Sequence, residues 1–427
     1  MAGALDGIKV FEVTQILAGP FCGTNLADLG ADVIKVEPPS GDGTRVSAAF
    51  APGESKFFHA LNRGKRSLVI DLAHDRGREL VYRIIPSFDV FVINSRPGVP
   101  ERLGVDYDTL KQYRPDLVYF ENTGFGRSGP SAQRSGSDIV AQAYSGLMAG
   151  DAKVNEFGAP DAISATAPGD FTAGLAGAMG ISAALFHRER TGEGQYLESS
   201  LLQVALAVQN YVVSRVPVYE AMVGDQVRQR MTDVQEAGGS YQDVLDARGD
   251  LFSALGYSAG RLYYGGYVVK DGGIVLGALT PLNRDQMRRA IGIDDDPTAD
   301  EDFDAFAPDA NDRVDEVYER IRATMLTRTM DEWIERFDAE GAPVSKVNIP
   351  DMMAEDPQVQ AMGYMMEVEH ESTGPELMVG PIVTMAGTPS DNRLAAPPLG
   401  RHTDEVLHEV GVNDEEIADL RASGAVV

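Results

Sequence analysis

The sequence is short of several residue types on which common chemistries depend. Its one cysteine, Cys22, excludes an internal disulfide framework and any multi-cysteine metal site, and its apolar setting makes it a structural residue. The histidines (His59, His74, His187, His370, His402 and His408) are scattered, with no His-Glu-x-x-His string, so no metal site and no metal catalysis are expected. The usual hydrolase triads have no support, and the first strand-to-helix turn lacks Gly-x-Gly-x-x-Gly, which weakens a dinucleotide reading. No apolar run approaches the roughly 20 residues that a bilayer span needs. Residues 1–7 carry neither the basic nor the apolar region of a signal peptide, so a cytoplasmic protein with no membrane partner is expected. Lysine is scarce beside arginine, and both are outnumbered by acids, leaving a formal net charge of -28. Nucleic acid and anionic membrane are themselves negative, so neither is an expected partner. Surface acid with little lysine fits solubility in high salt; a GC-rich genome would also favour arginine over lysine.

What is present is an ordinary globular composition, 43% hydrophobic over 427 residues, enough for two domains or one large domain with an insertion. Residues 8–13 and 32–37 read as strands around a helix that runs through Leu26 and Leu29, a βαβ unit with a right-handed crossover. Further strands are expected over 67–72, 89–94 and 117–122, with a helix over 75–85 and a basic turn over 62–66. This alternation makes the class α/β with a parallel sheet. Ligands of such sheets gather beyond the carboxyl ends of the strands, and the loops there carry Gln15, Arg96, Arg102 and Arg127 to one rim. An apolar helical segment is expected over 202–216, and 263–278 reads as a hairpin turning on Asp271-Gly272-Gly273. Helices follow near 284–291, 314–326 and 330–339, and 344–347 reads as a strand returning to the first sheet. The chain is thus divided into 1–224, a large domain; 225–330, a smaller inserted α+β domain; and 331–427, a linker and return to the large domain.

The string Pro168-Gly169-Asp170 at the head of a small-residue run invites two readings of one carboxylate. Aspartate favours helix N-caps because it accepts orphan amide hydrogens. The same position suits a nucleophile, since a helix dipole would keep the carboxylate ionised. Local sequence leaves both open.

Four blocks, in order, then carry a resemblance. They are Leu5-Asp6-Gly7-Ile8 through Ala18-Gly19-Pro20 to 30–37; Asn62-Arg63-Gly64-Lys65-Arg66-Ser67; Gly169-Asp170 through Arg190-Thr191-Gly192-Glu193-Gly194-Gln195; and the tail from Ala396-Pro397-Pro398 to Leu407. Along nearly its whole length the chain resembles the class III CoA-transferases, the CaiB/BaiF family of the formyl-CoA transferase and carnitine CoA-transferase type. The resemblance implies a Rossmann-like large domain built from both chain ends, an inserted small domain and an interlocked homodimer. It implies that Asp170 is the catalytic nucleophile, passing through an aspartyl anhydride and an aspartyl-CoA thioester. Coenzyme A and its acyl esters, succinyl-CoA among them, would be substrates alongside small carboxylic acids, with no permanently bound cofactor. By position, Gln15, Leu17 and Ala18 would line the pantetheine path, and Ile70, Asn94, Ser95, Arg96 and Arg102 the adenine and phosphate end. Ser137 would lie on the substrate side, as would Gly265 and Gly266, which, like the 257–264 stretch, are candidates for an active-site lid. Pro38 and Ala73 depart from basic residues of formyl-CoA transferase. The racemase branch of the superfamily carries Gly-His-Asp where this chain has Gly136-Ser137-Asp138; Ser137 cannot shuttle the proton that α-epimerisation needs, so a 2-methylacyl-CoA racemase is the alternative and a non-catalytic acyl-CoA binder the third reading.

Overall fold

The computed structural model describes residues 3–254, 257–300, 302–305, 307, 309–389 and 393–427. The chain divides into two compact units, one of residues 1–155, 160–214 and 357–427, the other of 156–159 and 215–356. The first unit is organised by a six-stranded parallel sheet of β1 (Lys9–Val13), β2 (Asp32–Glu37), β3 (Lys65–Val69), β4 (Val90–Ile93), β5 (Val118–Thr123) and β6 (Gln195–Ser200). The spatial order is β3-β2-β1-β4-β5-β6, so chain order reverses between β1 and β4.

Both faces of the sheet are covered, which is why its strands read as continuous apolar runs. Alternate residues Phe11, Ile34, Phe91 and Tyr119 pack on one side with the helix Asp75–Ile84 and the C-terminal helices Thr403–Glu409 and Asp414–Ser423. Val10, Val33, Val92, Val118 and Phe120 face the other side, against α1 (Ala18–Asp28) and the helix Pro168–Thr191. That last helix, 24 residues long, is long and apolar enough by composition to cross a membrane, contrary to the expectation that no segment approaches that length. Eight of its residues, from Gly169 to Leu185, are buried, packed into the unit's own core. Its close approach depends on Gly177, where a Cβ would lie 2.5 Å from the Phe120 ring and 2.9 Å from Cys22 Sγ.

Three expectations are corrected here. The basic turn expected over 62–66 is confined to Arg63 and Gly64, because Lys65 and Arg66 already belong to β3. Lys65 is buried, its ammonium 3.0 Å from Glu12 and donating to the Pro20 carbonyl at 2.8 Å and Asn62 Oδ1 at 2.9 Å. Arg63 forks onto Asp28, and Arg66 onto Asp32 and Glu409. These motif cations are spent inside the fold, fastening α1 and the loop before it. Second, the helix expected over 202–216 is broken into Leu201–Val208 and Asn210–Val213. Pro217 forces Val216 into extended backbone, and the chain enters the other unit. Third, the strand expected over 344–347 does not return to the parallel sheet. It is β9 (Val344–Lys346), antiparallel to β8 (Gly272–Gly277), which pairs with β7 (Tyr264–Val269) in a separate three-stranded sheet. Its register, Ile274↔Lys346, satisfies backbone groups that the hairpin alone leaves open. The second unit's core gathers Trp333, Phe337, Ile274, Leu276 and Ile321.

Gly177→Val would force Phe120 or Cys22 to move in a close-packed layer, so a stability loss of about 1–3 kcal/mol is expected, read as a lower urea midpoint. An unchanged midpoint would show that the helix can slide away from the sheet.

Candidate active site

A cleft of about 430 Å³ opens at the carboxyl ends of β1, β4 and β5, where the strand order reverses. Open α/β sheets hold ligands at this kind of position. Its wall includes Gln15, Ile16 and Ala18 after β1; Asn94, Ser95 and Arg96 after β4; Asn122 to Gly124 at the end of β5; and Gly136, Ser137 and Asp170.

The Pro-Gly-Asp string has a local explanation. Pro168 takes the first helical position, where its missing N–H costs nothing. A Cβ on Gly169 would sit 2.8 Å from Asp138 Oδ1, so glycine is what lets that carboxylate approach. Asp138 Oδ1 accepts from the amides of Gly169 at 2.7 Å and Asp170 at 3.2 Å, while Oδ2 accepts from Gln142 Nε2 at 2.5 Å. The cap of this helix is therefore Asp138, brought from another helix, Asp138–Ser145. Asp170 is not the cap. It stands in the first turn, half-buried, and its carboxylate has no hydrogen bond or ion pair among the described residues.

The expectation that the helix start keeps Asp170 ionised is also corrected. Burial, and then the negative charge of Asp138, push its carboxyl up to about 7. Desolvation and a like charge at close range outweigh the dipole. At neutral pH the group sits near the middle of its titration, an uncommon state for an aspartate and one associated with functional sites.

Around this carboxylate the cleft contains unsatisfied polar atoms. Ser95 Oγ and Asn122 Oδ1 are buried with no hydrogen-bond partner among the described residues. Ile16 adopts φ of 70°, a left-handed backbone that is costly for a β-branched side chain. The strain is held by its neighbours: Asn94 accepts from Gln15 N at 2.8 Å and donates to Gln15 O at 2.7 Å. The Asn94 amide is thus engaged with main chain rather than free to bind a ligand.

The structure brings Gln15, Ala18, Asn94, Ser95, Arg96, Ser137 and Asp170 to one wall. Leu17 is buried and Ile70 lies in the core below the sheet, beside Val426, so neither side chain reaches the cleft. Arg102 is exposed and outside the wall. Arg127 does not join the rim as a free cation; it bonds Glu121 at 2.7 Å and also pairs with Glu101. Gly265 and Gly266 sit in β7, in the second unit. There Arg228 is tied to Glu220 and Asp225, and Arg261 to Asp315.

Ile16, Asn122 and the capping role of Asp138 are missed by sequence reasoning, and two strings escape it. Gly124-Phe125-Gly126-Arg127-Ser128-Gly129 fits Gly-x-Gly-x-x-Gly after β5 but runs into turns, so no helix N-terminus backs it to hold a pyrophosphate. Gly256-Tyr257-Ser258-Ala259-Gly260 has the Gly-x-Ser-x-Gly pattern, and Gly256 lies outside the described residues. The string follows the helix Tyr241–Ala254, not the strand that a nucleophile elbow requires.

Residues 5–403 match the model of CoA-transferase family III. The chain is 32% identical to the succinate–glutarate CoA-transferase of Agrobacterium fabrum, over 95% of this chain and 95% of that protein. It is 30% identical to human succinyl-CoA:glutarate CoA-transferase, over 99% of this chain and 90% of that protein. A crystal structure of a CaiB/BaiF family protein from Brucella suis superposes with a TM-score of 0.71 at 27% identity, covering 96% of this chain and 100% of that one. With the switch-point cleft and its lone carboxylate, these likenesses have one reading: the chain belongs to CoA-transferase family III.

Proposed function

We propose that this enzyme moves coenzyme A from an acyl-CoA donor, succinyl-CoA being the first candidate, to a carboxylic acid acceptor, with Asp170 as the covalent carrier. The observation that carries the reading is a carboxylate without a partner, in a cleft at the sheet's switch point. The choice of succinyl-CoA rests on the names of the two relatives above.

In the proposed cycle, an Asp170 oxygen attacks the thioester carbonyl, forming a mixed anhydride and expelling CoA thiolate. The thiolate then attacks the aspartyl carbonyl, giving an aspartyl-CoA thioester and freeing the donor acid. The acceptor carboxylate attacks that carbonyl, expels the thiolate again and forms a second anhydride. Thiolate attack on the acceptor's acyl carbon releases the new CoA ester and regenerates Asp170. One thioester replaces another, so the exchange balances without redox or nucleotide hydrolysis. Ser95 Oγ and Asn122 Oδ1 supply unpaired polar groups for the pantetheine amides, and Arg96 is the cation of the wall suited to phosphate. Interlocking with a second copy agrees with the apolar row Leu175, Met179 and Phe186, which the helix Pro168–Thr191 leaves exposed. A cytoplasmic site of action, an inserted second unit and a lid over Gly265 and Gly266 belong to the same proposal. Racemisation is disfavoured by Ser137, which offers no base.

Asp170→Asn and Asp170→Ala should each lower the exchange of labelled succinate into succinyl-CoA by about a thousandfold or more, with circular dichroism unchanged. Full exchange in either variant would remove Asp170 from the mechanism. Deuterium wash-in at the α-carbon of a 2-methylacyl-CoA, with no acceptor acid present, would favour the racemase instead.

The raised carboxyl generates a pH dependence with a definite sign. The nucleophile is the ionised form, so single-turnover acylation should rise with pH through about 7. Asp138→Asn keeps an oxygen for the Gly169 amide but removes the like charge, so the acidic limb should move to lower pH. A limb unmoved in that variant would show that the Asp138 charge does not set the titration.

A further inference from the structure

Glu54, His59 and His370 come together away from the cleft, and none of them lines its wall. Glu54 immediately precedes the cap of α2 (Lys56–Asn62), His59 lies in that helix, and His370 ends β10 (Met365–His370), hairpin partner of β11 (Gly374–Val379). One donor atom from each of the three lies within 4.8 Å of the others. Both imidazoles are 1% exposed. Their rings stack at 4.5 Å, and Phe50 and Phe58 flank His59. Histidines remote in sequence hid this grouping from any spacing rule.

The donor set has unfilled capacity. His370 Nε2 is buried, has no hydrogen-bond partner among the described residues and lies 3.7 Å from Glu54 Oε2. Glu376 Oε2 is likewise buried without a partner. His59 Nε2 meets Glu54 Oε2 at 2.7 Å, and its other nitrogen, Nδ1, meets Glu376 Oε1 at 2.7 Å. A carboxylate behind the second ring nitrogen is the usual support of a ligating histidine. Thr373 Oγ1 in turn donates to Glu376 Oε1 at 2.6 Å. On the far side of His370, Nδ1 lies 3.2 Å from Ser372 Oγ and accepts from the amides of Ser372 and Thr373 at 3.3 Å, which leaves the ring proton on Nε2.

We infer that Glu54, His59 and His370 form a structural site for a divalent transition-metal ion of the zinc class. Two imidazoles and a carboxylate are borderline donors that suit zinc, and two nearby carboxylates offset a dication in a dry setting. Donors around a tetrahedral zinc stand about 3.3 Å apart. The 2.7 Å and 3.7 Å separations bracket that spacing, and the two rings, stacked at 27°, must turn for both Nε2 atoms to face one ion. Uptake replaces the proton between His59 Nε2 and Glu54, which leaves for solvent. Ligation through His370 Nε2 needs the Nδ1–H tautomer, so the ring proton moves from Nε2 to Nδ1, which gives up the two amide bonds it accepts and donates to Ser372 Oγ. Glu376 stays behind His59 Nδ1, and water completes the shell. The ion would pin the β10–β11 hairpin, where the chain rejoins the first unit, onto α2, beside the existing bond from Arg63 Nε to the Val379 carbonyl. The reaction itself does not use it.

Full-length protein is freed of metal with a chelator and titrated with Co²⁺, following its visible absorption, and with Zn²⁺ by calorimetry. The expected result is about one ion per chain with a tetrahedral Co²⁺ spectrum, and a melting temperature that rises on Zn²⁺ addition. Glu54→Gln and His370→Asn should lose the spectrum and the Zn²⁺-dependent rise while keeping succinate exchange. Glu376→Gln should weaken Co²⁺ affinity by about tenfold. No stoichiometric uptake by the wild-type protein, or the same uptake and spectrum in folded His370→Asn, overturns the site.

Discussion

Two hydrogen bonds, from the amides of Gly169 and Asp170 to one oxygen of Asp138, fix the start of the helix that carries Asp170, and the site depends on them. They satisfy donors that a helix start otherwise leaves to solvent, and they lock the backbone of Asp170 at the mouth of the cleft. A carboxylate used as the cap also brings a negative charge beside the residue it positions. The same contact therefore fixes where Asp170 stands and makes its ionisation costly. An asparagine could cap as well, but it would leave Asp170 more fully ionised. A carboxyl pushed up to about 7 is partly protonated at neutral pH, and its ionised form is correspondingly more basic. That would suit the proposed role of a carrier that forms, and then surrenders, two anhydrides and a thioester.

The opposite wall depends on buried charge. Glu12, Lys35, Lys65 and Asp42 are all sequestered beneath the loop that follows β1. Lys35 reaches the Thr14 carbonyl and Lys65 the Pro20 carbonyl, so the loop bearing Gln15 to Ala18 is fastened at both ends. Between these anchors Ile16 is held in a left-handed conformation, and the Asn94 side chain clamps Gln15 beside it. Removing one partner from such a network leaves a charge stranded in low dielectric, which is why the arrangement resists drift. In the proposed cycle, a rigid wall facing a fixed Asp170 would keep the thioester carbon and the attacking oxygen in register.

Much of this was legible in the sequence, for identifiable reasons. The β1-α1-β2 unit is written in buried apolar runs punctuated by Gly30, and residues 32–37 form the strand expected of them. The cleft could be placed because strand ends in a parallel sheet converge on one edge. Other features were hidden because their partners are remote. Lys65 looks like surface charge until Glu12 is seen opposite it. Asp170 reads locally as a cap, because nothing near it announces that Asp138 takes that role. Ile70 and Leu17, chosen by positional likeness, turn inward, since resemblance carries over a backbone position but not the direction of a side chain. Arg127 looked like a free cation and is consumed by Glu121 and Glu101. The short β9 was assigned to the wrong sheet because a three-residue string, Val344-Ser345-Lys346, carries no information about its partner.

Asp170 as the covalent carrier is the central claim for this family III CoA-transferase. The most direct measurement is to incubate the enzyme with succinyl-CoA, reduce with borohydride, digest, and locate the modified residue by mass spectrometry. An aspartyl thioester or anhydride would be reduced to the side-chain alcohol at position 170, only in the presence of the acyl-CoA. Reduction mapped to any other residue, or none at 170 under conditions where exchange proceeds, would contradict the account.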